Sequence, residues 1–279
     1  SYEPAVSLIS GNENLTTATR KEKISKFEKP GNIVTFGEYE QDNDLANGPE
    51  PIEWIVLDYD AANHRSMLIS KYGLDNIIYD EWSTKRDVLW EDCMARKWLN
   101  EYFLYSAFNE EERKAIPITE VDNSESLKAK LNNKTTEVNN TQDQVFLLSV
   151  SEAMLYFSTG GFGQKNYEEL KSYARARVAP TPYAIAQGAF ASDKFQTLEG
   201  LPAGIWLLRT YIHDCQGVSV SQAGALDGGV EGDTGSGTGQ VARPVIWLDL
   251  DAVKEVLEVN NRKETEGETT EEANAAQYA

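Results

Sequence analysis

Few residues in this chain are of the types that do chemistry. His213-Asp214-Cys215 sets a base, a carboxylate and a thiol side by side. A cysteine nucleophile needs its base positioned through space, and neighbours on a strand point to opposite faces, so adjacency argues against a catalytic set. His64 and His213 are the two histidines, and no Gly-x-Ser-x-Gly elbow occurs. The two cysteines, Cys93 and Cys215, have no CxxC neighbour and no histidine cluster, which argues against structural zinc. A Cys93–Cys215 disulfide and two separate thiols both remain open. These residues point away from an enzyme.

The carboxylates offer other chemistry. Asp42-Asn43-Asp44, with Asn47-Gly48 and Glu53, resembles a calcium loop at first sight. With Asp42 at position 1, Glu53 falls at position 12, but Ala46 takes the oxygen position 5 and Gly48 sits at 7 rather than 6. The register fails, and the stretch reads as a solvated turn between two strands. Asp227, Glu231 and Asp233 lie in the glycine-rich run GALDGGVEGDTGSGTG. Carboxylates on such backbone suit a calcium ion or sugar hydroxyls. The run is not a phosphate cradle, since no lysine follows its glycines. No cofactor is expected, and calcium is the ion that these carboxylates would suit. Arg209 and Arg243 flank this region and are expected to hold its ends by structural ion pairs.

The elements that must position these residues alternate between sheet and helix. Ile33–Phe36 and Ile52–Asp58 read as strands, and Arg65–Lys71 completes a hairpin with the second. From about Trp90, Met94, Trp98, Leu99, Tyr102 and Phe103 recur at helical spacing. Asn109 before Glu110, Glu111 and Glu112 is a helix N-cap. Residues 119–143 form a polar surface excursion. Ser149-Val150-Ser151-Glu152 is a capping box after the strand Val145–Leu148. Helices follow at Glu152–Phe157, Tyr167–Arg177 and Pro182–Ala189, then strands at Ile205–Arg209, Gly217–Gln222 and Val245–Leu250. Pro244 suits the start of the last strand, where its missing N–H need not pair. Trp54, Trp98, Trp206 and Trp247 fall within these elements and are expected to share one core.

The chain has 279 residues, 41% hydrophobic and 10% aromatic, enough for a core without disulfide staples. Its net charge of −19 opposes nucleic-acid phosphates and anionic lipid. No apolar run approaches a membrane span. Residues 1–30 read as a polar leader ending at Pro30-Gly31, residues 31–252 as the folded domain, and residues 253–279 as an acidic disordered tail poor in apolar side chains.

Several stretches in this order resemble a bacterial secreted or surface domain family of unknown function. They are Phe36-Gly37-Glu38-Tyr39-Glu40-Gln41-Asp42, Ile52-Glu53-Trp54-Ile55-Val56-Leu57, Trp90-Glu91-Asp92-Cys93, Arg96-Lys97-Trp98-Leu99-Asn100 with Phe103, Val145-Phe146-Leu147-Leu148-Ser149, Trp206-Leu207-Leu208-Arg209, and Arg243-Pro244-Val245-Ile246-Trp247. The resemblance covers roughly residues 31 to 250. It implies a C-type-lectin-like α+β fold, with twisted, mostly antiparallel sheets and flanking helices. Its implied relatives are the formylglycine-generating enzymes and the variable proteins of diversity-generating retroelements. In the latter, the segment between a Trp-Leu-Arg strand and an Arg-Pro-Trp strand displays the ligand-binding residues. Here that segment is Thr210–Ala242. Where the family has Ser-Pro-Gly, this chain has Thr210-Tyr211-Ile212, and Cys215 lacks the second cysteine that the enzymes use to hold copper.

The expected function is a non-enzymatic recognition or adhesion module, extracellular or at the cell surface. Its ligand, a protein or a glycan, would meet Tyr211, His213, Asp214, Gln216, Asp227, Glu231 and Asp233. A structural component of a surface or appendage assembly is the alternative, and a divergent formylglycine-generating-type enzyme is the second. Neither nucleic acid nor direct membrane insertion is expected.

Overall fold

The computed structural model describes residues 17–81, 88–125, 138–164, 166–213, 216–228 and 239–257. In chain order these carry helix α1 (Thr17–Phe27), then strands β1 (Ile33–Tyr39), β2 (Glu50–Asp60), β3 (Arg65–Ser70) and β4 (Asp75–Asn76). Helix α2 (Met94–Lys97) runs through a π-helical stretch, Trp98–Phe103, into α3 (Leu104–Ala107) and is followed by α4 (Glu110–Lys114). Next come β5 (Thr119–Val121), β6 (Thr141–Asp143), β7 (Val145–Phe146), α5 (Val150–Phe157) and α6 (Tyr167–Lys171). A short 3-10 turn at Ala174–Ala176 and α7 (Pro182–Ala186) lead to β8 (Ile205–His213), β9 (Gln216–Val220), β10 (Leu226–Asp227), β11 (Gln240–Ala242) and β12 (Val245–Asp249). A last helix, α8, covers 250–257.

The architecture is α+β. One sheet has the order β1-β2-β3-β12-β7 and is antiparallel throughout. The second has the order β10-β9-β8-β11-β4, and β11 runs parallel to β8. Strands β5 and β6 form a small hairpin of their own. Strand β2 shows how sequence alternation builds the first sheet. Ile52, Trp54 and Val56 are buried, and the Trp54 indole donates to the Phe36 carbonyl at 2.7 Å. Glu53, Ile55 and Leu57 take the opposite face and are only half buried. Gly37 sits where the β1–β2 register shifts, with φ +69°, and a Cβ there would lie 2.5 Å from the Phe108 ring. Both conditions call for glycine.

Local signals in the sequence appear as drawn. Ser149 accepts from the Glu152 amide while Glu152 accepts from the Ser149 amide, the expected box at the start of α5. Asn109 and Glu112 form the same arrangement at α4. Pro244 stands immediately before β12. Trp54 and Trp206 are fully buried, whereas Trp98 and Trp247 are half buried against the same core. The Arg65 guanidinium covers the Trp247 ring at 4.6 Å, so a basic side chain rather than a core residue closes that face.

Three expectations are corrected. Residues 1–30 are not a leader throughout: Ile24 and Phe27 on α1 are buried in the core, and Ser66 donates to the Phe27 carbonyl at 2.7 Å. The fold does not stop at residue 252, because α8 buries Val253, Val256 and Leu257. Residues 258–279 of the expected tail lie outside the described residues. The roots of the 119–143 excursion are not solvated surface. Asp143, 1% exposed, accepts from the Trp90 indole at 3.0 Å, from Arg96 at 2.6 Å and from Thr141 at 2.7 Å. A buried carboxylate needs such partners, and these tie the hairpin to the helical layer.

Candidate functional site

The face of β2 that carries Ile55 and Leu57 is half buried. It borders a concave pocket of about 400 Å³. Ile55 and Leu57 form one wall, and Tyr156 and Phe157 from the last turn of α5 form the other. Ser158 ends that helix in the left-handed region, φ 53°, which turns the chain away just past Phe157. Leu198, 76% exposed, lies at the mouth. Arg243, 2% exposed, lies at the floor.

The pocket is cationic in an acidic protein. Lys71, Arg175, Arg177 and Arg243 line it, against the single carboxylate of Glu199. Lys71 is neutralised: it pairs with Glu53 and Glu199, each at 3.0 Å. Glu199 also accepts from the Tyr72 hydroxyl at 3.2 Å, and the Thr197–Gly200 turn that carries it closes at 3.0 Å. Arg177 spends its donors on the carbonyls of Ala223, Gln196 and Leu170. Arg175 is exposed.

Arg243 is different. Its Nε donates to the Ser70 carbonyl at 2.9 Å, and its Nη1 is enclosed without a hydrogen-bond partner. The guanidinium lies over Phe157 at 4.4 Å and Trp206 at 4.9 Å. Among the described residues no carboxylate forms an ion pair with it. Burial without a counter-charge pushes its pKa down to about 9. The expected pairing of both flanking arginines is therefore half corrected. Arg209 does pair, with both carboxylate oxygens of Glu152 and with the carbonyls of Leu147 and Asp122. Arg243 does not, because the elements around it, β3, α5 and β8, face it with carbonyl and aromatic groups.

Of the residues expected to meet a ligand, four lie among the described residues. Tyr211, on β8, is 2% exposed and part of the core. His213 closes β8 and stands opposite Gln216 at the start of β9. Asp227 is half buried on β10, opposite Ser219. Asp214, Glu231 and Asp233 lie outside the described residues, as does Cys215. The described part of 210–242 is largely sheet, with residues 217–220 and 223–226 buried. Cys93 is a buried free thiol whose pKa burial raises to about 12, the opposite of an activated nucleophile.

The carboxylates of the stretch read as a solvated turn regroup. Glu40, Asp42 and Glu50 bring their oxygens within 4.8 Å of one another, whereas Glu53 turns to Lys71. Partial burial and then Glu50 raise the pKa of Glu40, while Asn47 and the Asp44 amide lower that of Asp42. Glu50 accepts from the Gln41 amide at 2.7 Å and Asp42 from the Asp44 amide at 2.7 Å. These bonds account for the cluster as a knitted turn.

A family model matches residues 63–250. The chain belongs to the family described as Domain of unknown function (DUF6273). The DUF6273 stretch holds Arg243, Lys71, Tyr72, Tyr156 and Phe157, and therefore the floor and one wall of the pocket. The opposing wall, Ile55 and Leu57, precedes the matched residues. No curated protein and no solved structure matches the chain. The pocket was not legible as a site in the sequence. Arg243 stood out beside Pro244, but its lack of a counter-charge depends on what β3, α5 and β8 bring to it.

Proposed function

We propose that this chain is a non-catalytic recognition module that takes its ligand in the pocket above Arg243. One observation carries the reading: a buried guanidinium without an acidic partner among the described residues forms the floor of an open, mostly apolar cavity. A buried charge is normally paired, and pockets that combine apolar walls with a few polar groups are where ligands bind. The reading is non-catalytic because, among the described residues, no base stands beside an activated nucleophile in this pocket. Its place outside the cell or on its surface, and its kinship with C-type-lectin-like domains, belong to the same proposal. The kinship is supported by the first and last strands sharing one sheet while the chain between them builds a second.

The test is a ligand-observed NMR screen of small molecules against the full chain and its Leu57→Trp variant, which fills the pocket from the β2 wall. Hits that vanish with Leu57→Trp place binding in the pocket. Hits that persist in a folded Leu57→Trp chain refute the placement. In that event an Asp227→Ala, Glu231→Ala, Asp233→Ala triple variant tests the glycine-rich segment instead.

A further inference from the structure

We infer that the pocket selects a small organic monoanion, a carboxylate head on an apolar body, with the head seated against Arg243. This deepens the preceding proposal and rests on it. The charge pattern sets the sign of the ligand. Four basic side chains and one carboxylate line the pocket in a chain of net charge −19, so the local field opposes that of the whole molecule. Low-dielectric walls focus such a field on the cavity.

The hydrogen-bond pattern sets where the head goes. Lys71 is held by two carboxylates, Arg177 by three carbonyls, and Arg175 is at the exposed rim. Arg243 alone is both buried and without a counter-ion among the described residues. Its Nε is committed to Ser70, its Nη1 is enclosed without a partner, and among the described residues its Nη2 makes no hydrogen bond. Arginine is suited to carboxylates because its planar donors match their two oxygens.

The walls set the rest. Ile55 and Leu57 face Tyr156 and Phe157 across the cavity, so the body of the ligand meets hydrocarbon and aromatic faces. A volume of about 400 Å³ admits a compact small molecule. One buried guanidinium without a counter-ion among the described residues matches one negative charge. A phosphate dianion would need further free donors beside Arg243, whereas the other guanidinium in the lining without a partner among the described residues, Arg175, is exposed and the Tyr72 hydroxyl is already donated to Glu199.

The experiment is isothermal titration calorimetry of the full chain with octanoate and 4-phenylbutyrate. Their neutral counterparts, octanamide and 4-phenylbutanol, and inorganic phosphate are titrated in parallel. The carboxylates are expected to bind about tenfold more tightly than the neutral molecules, and phosphate not to bind. Arg243→Met should erase the difference, bringing both sets within about twofold, and Arg243→Lys should keep part of it. Equal binding of carboxylates and neutral molecules overturns the charge selection but leaves pocket binding standing. Phosphate bound as tightly as the carboxylates overturns the monoanion. A preference that survives Arg243→Met in a folded chain overturns the role of Arg243. If none of the probes binds, this inference falls. Pocket binding falls separately, if no hit of the broader screen is lost in Leu57→Trp.

Discussion

Two buried arginines in one fold offer a controlled comparison of what a counter-charge is worth. Arg209 is paired with Glu152, and Arg243 has no acid among the described residues. Replacing each with methionine keeps the length and the apolar stem while removing the charge. For Arg243, burial moves the group down to about 9, which at about 1.36 kcal/mol per pH unit is a cost of roughly 5 kcal/mol. Removing the charge recovers that cost. It also removes a charged hydrogen bond to Ser70, worth about 2 kcal/mol, and the contacts over Phe157 and Trp206, worth about 2 kcal/mol each when desolvated. The two sides nearly cancel, so Arg243→Met is expected to lie within about 1 kcal/mol of the parent chain. Arg209→Met strands Glu152 and frees two carbonyls, and is expected to cost about 3 kcal/mol. Urea denaturation followed by tryptophan fluorescence reads both. If Arg243→Met loses as much as Arg209→Met, the guanidinium is a fixture of the fold, and the case for a free binding charge is lost.

Burial holds the proton on Cys93 up to about pH 12, whereas an unfolded thiol loses it near 9. The folded chain thus binds more protons across that window, and the contribution of Cys93, full below pH 9, is lost as pH rises toward 12. The Cys93→Ala chain should lose stability more gently there, by up to about 1.4 kcal/mol per pH unit, and parallel urea-derived curves would contradict this. Asp143→Ala should cost about 3 kcal/mol, since Arg96 and the Trp90 indole lose their shared buried acceptor; a thermal midpoint unchanged from the parent would show that the hairpin root is dispensable. Gly37→Ala should cost about 2 kcal/mol from backbone conformation alone, before its clash with Phe108. A calorimetric midpoint within a degree of the parent would count against it.

What the sequence disclosed was what depends on near neighbours. The Ser149–Glu152 box spans three residues, the β2–β3 hairpin pairs consecutive runs, and Pro244 marks the start of β12 by its own chemistry. What it hid depends on distant ones. Trp90 and Asp143 are 53 residues apart, and Arg209 and Glu152 are 57 apart. No local pattern distinguishes the arginine that has such a partner from the one that does not. The burial of Ile24, Phe27, Val256 and Leu257 failed to register for a related reason. Short apolar patches in polar surroundings look too weak to fold until a sheet supplies the other half of the contact.

His64 occupies a left-handed turn, φ 49°, between β2 and β3. Its imidazole reaches Glu28, just past α1, at 3.4 Å and Asp251, in α8, at 2.9 Å. Its carbonyl accepts from the Leu250 amide at 3.0 Å. The path into the sheets and the path out of them therefore cross at one side chain. A unit with adjoining doorways can be spliced into a host loop without prising the host apart. It can also be permuted, by joining the two paths and opening the chain elsewhere. The pocket is built mainly from β2, α5 and the 174–179 and 197–199 segments, with Arg243 ahead of β12, but Pro30, Gly31 and Ile33 line it just past Glu28. A rearrangement would therefore leave its walls intact only where the new junction falls before Pro30.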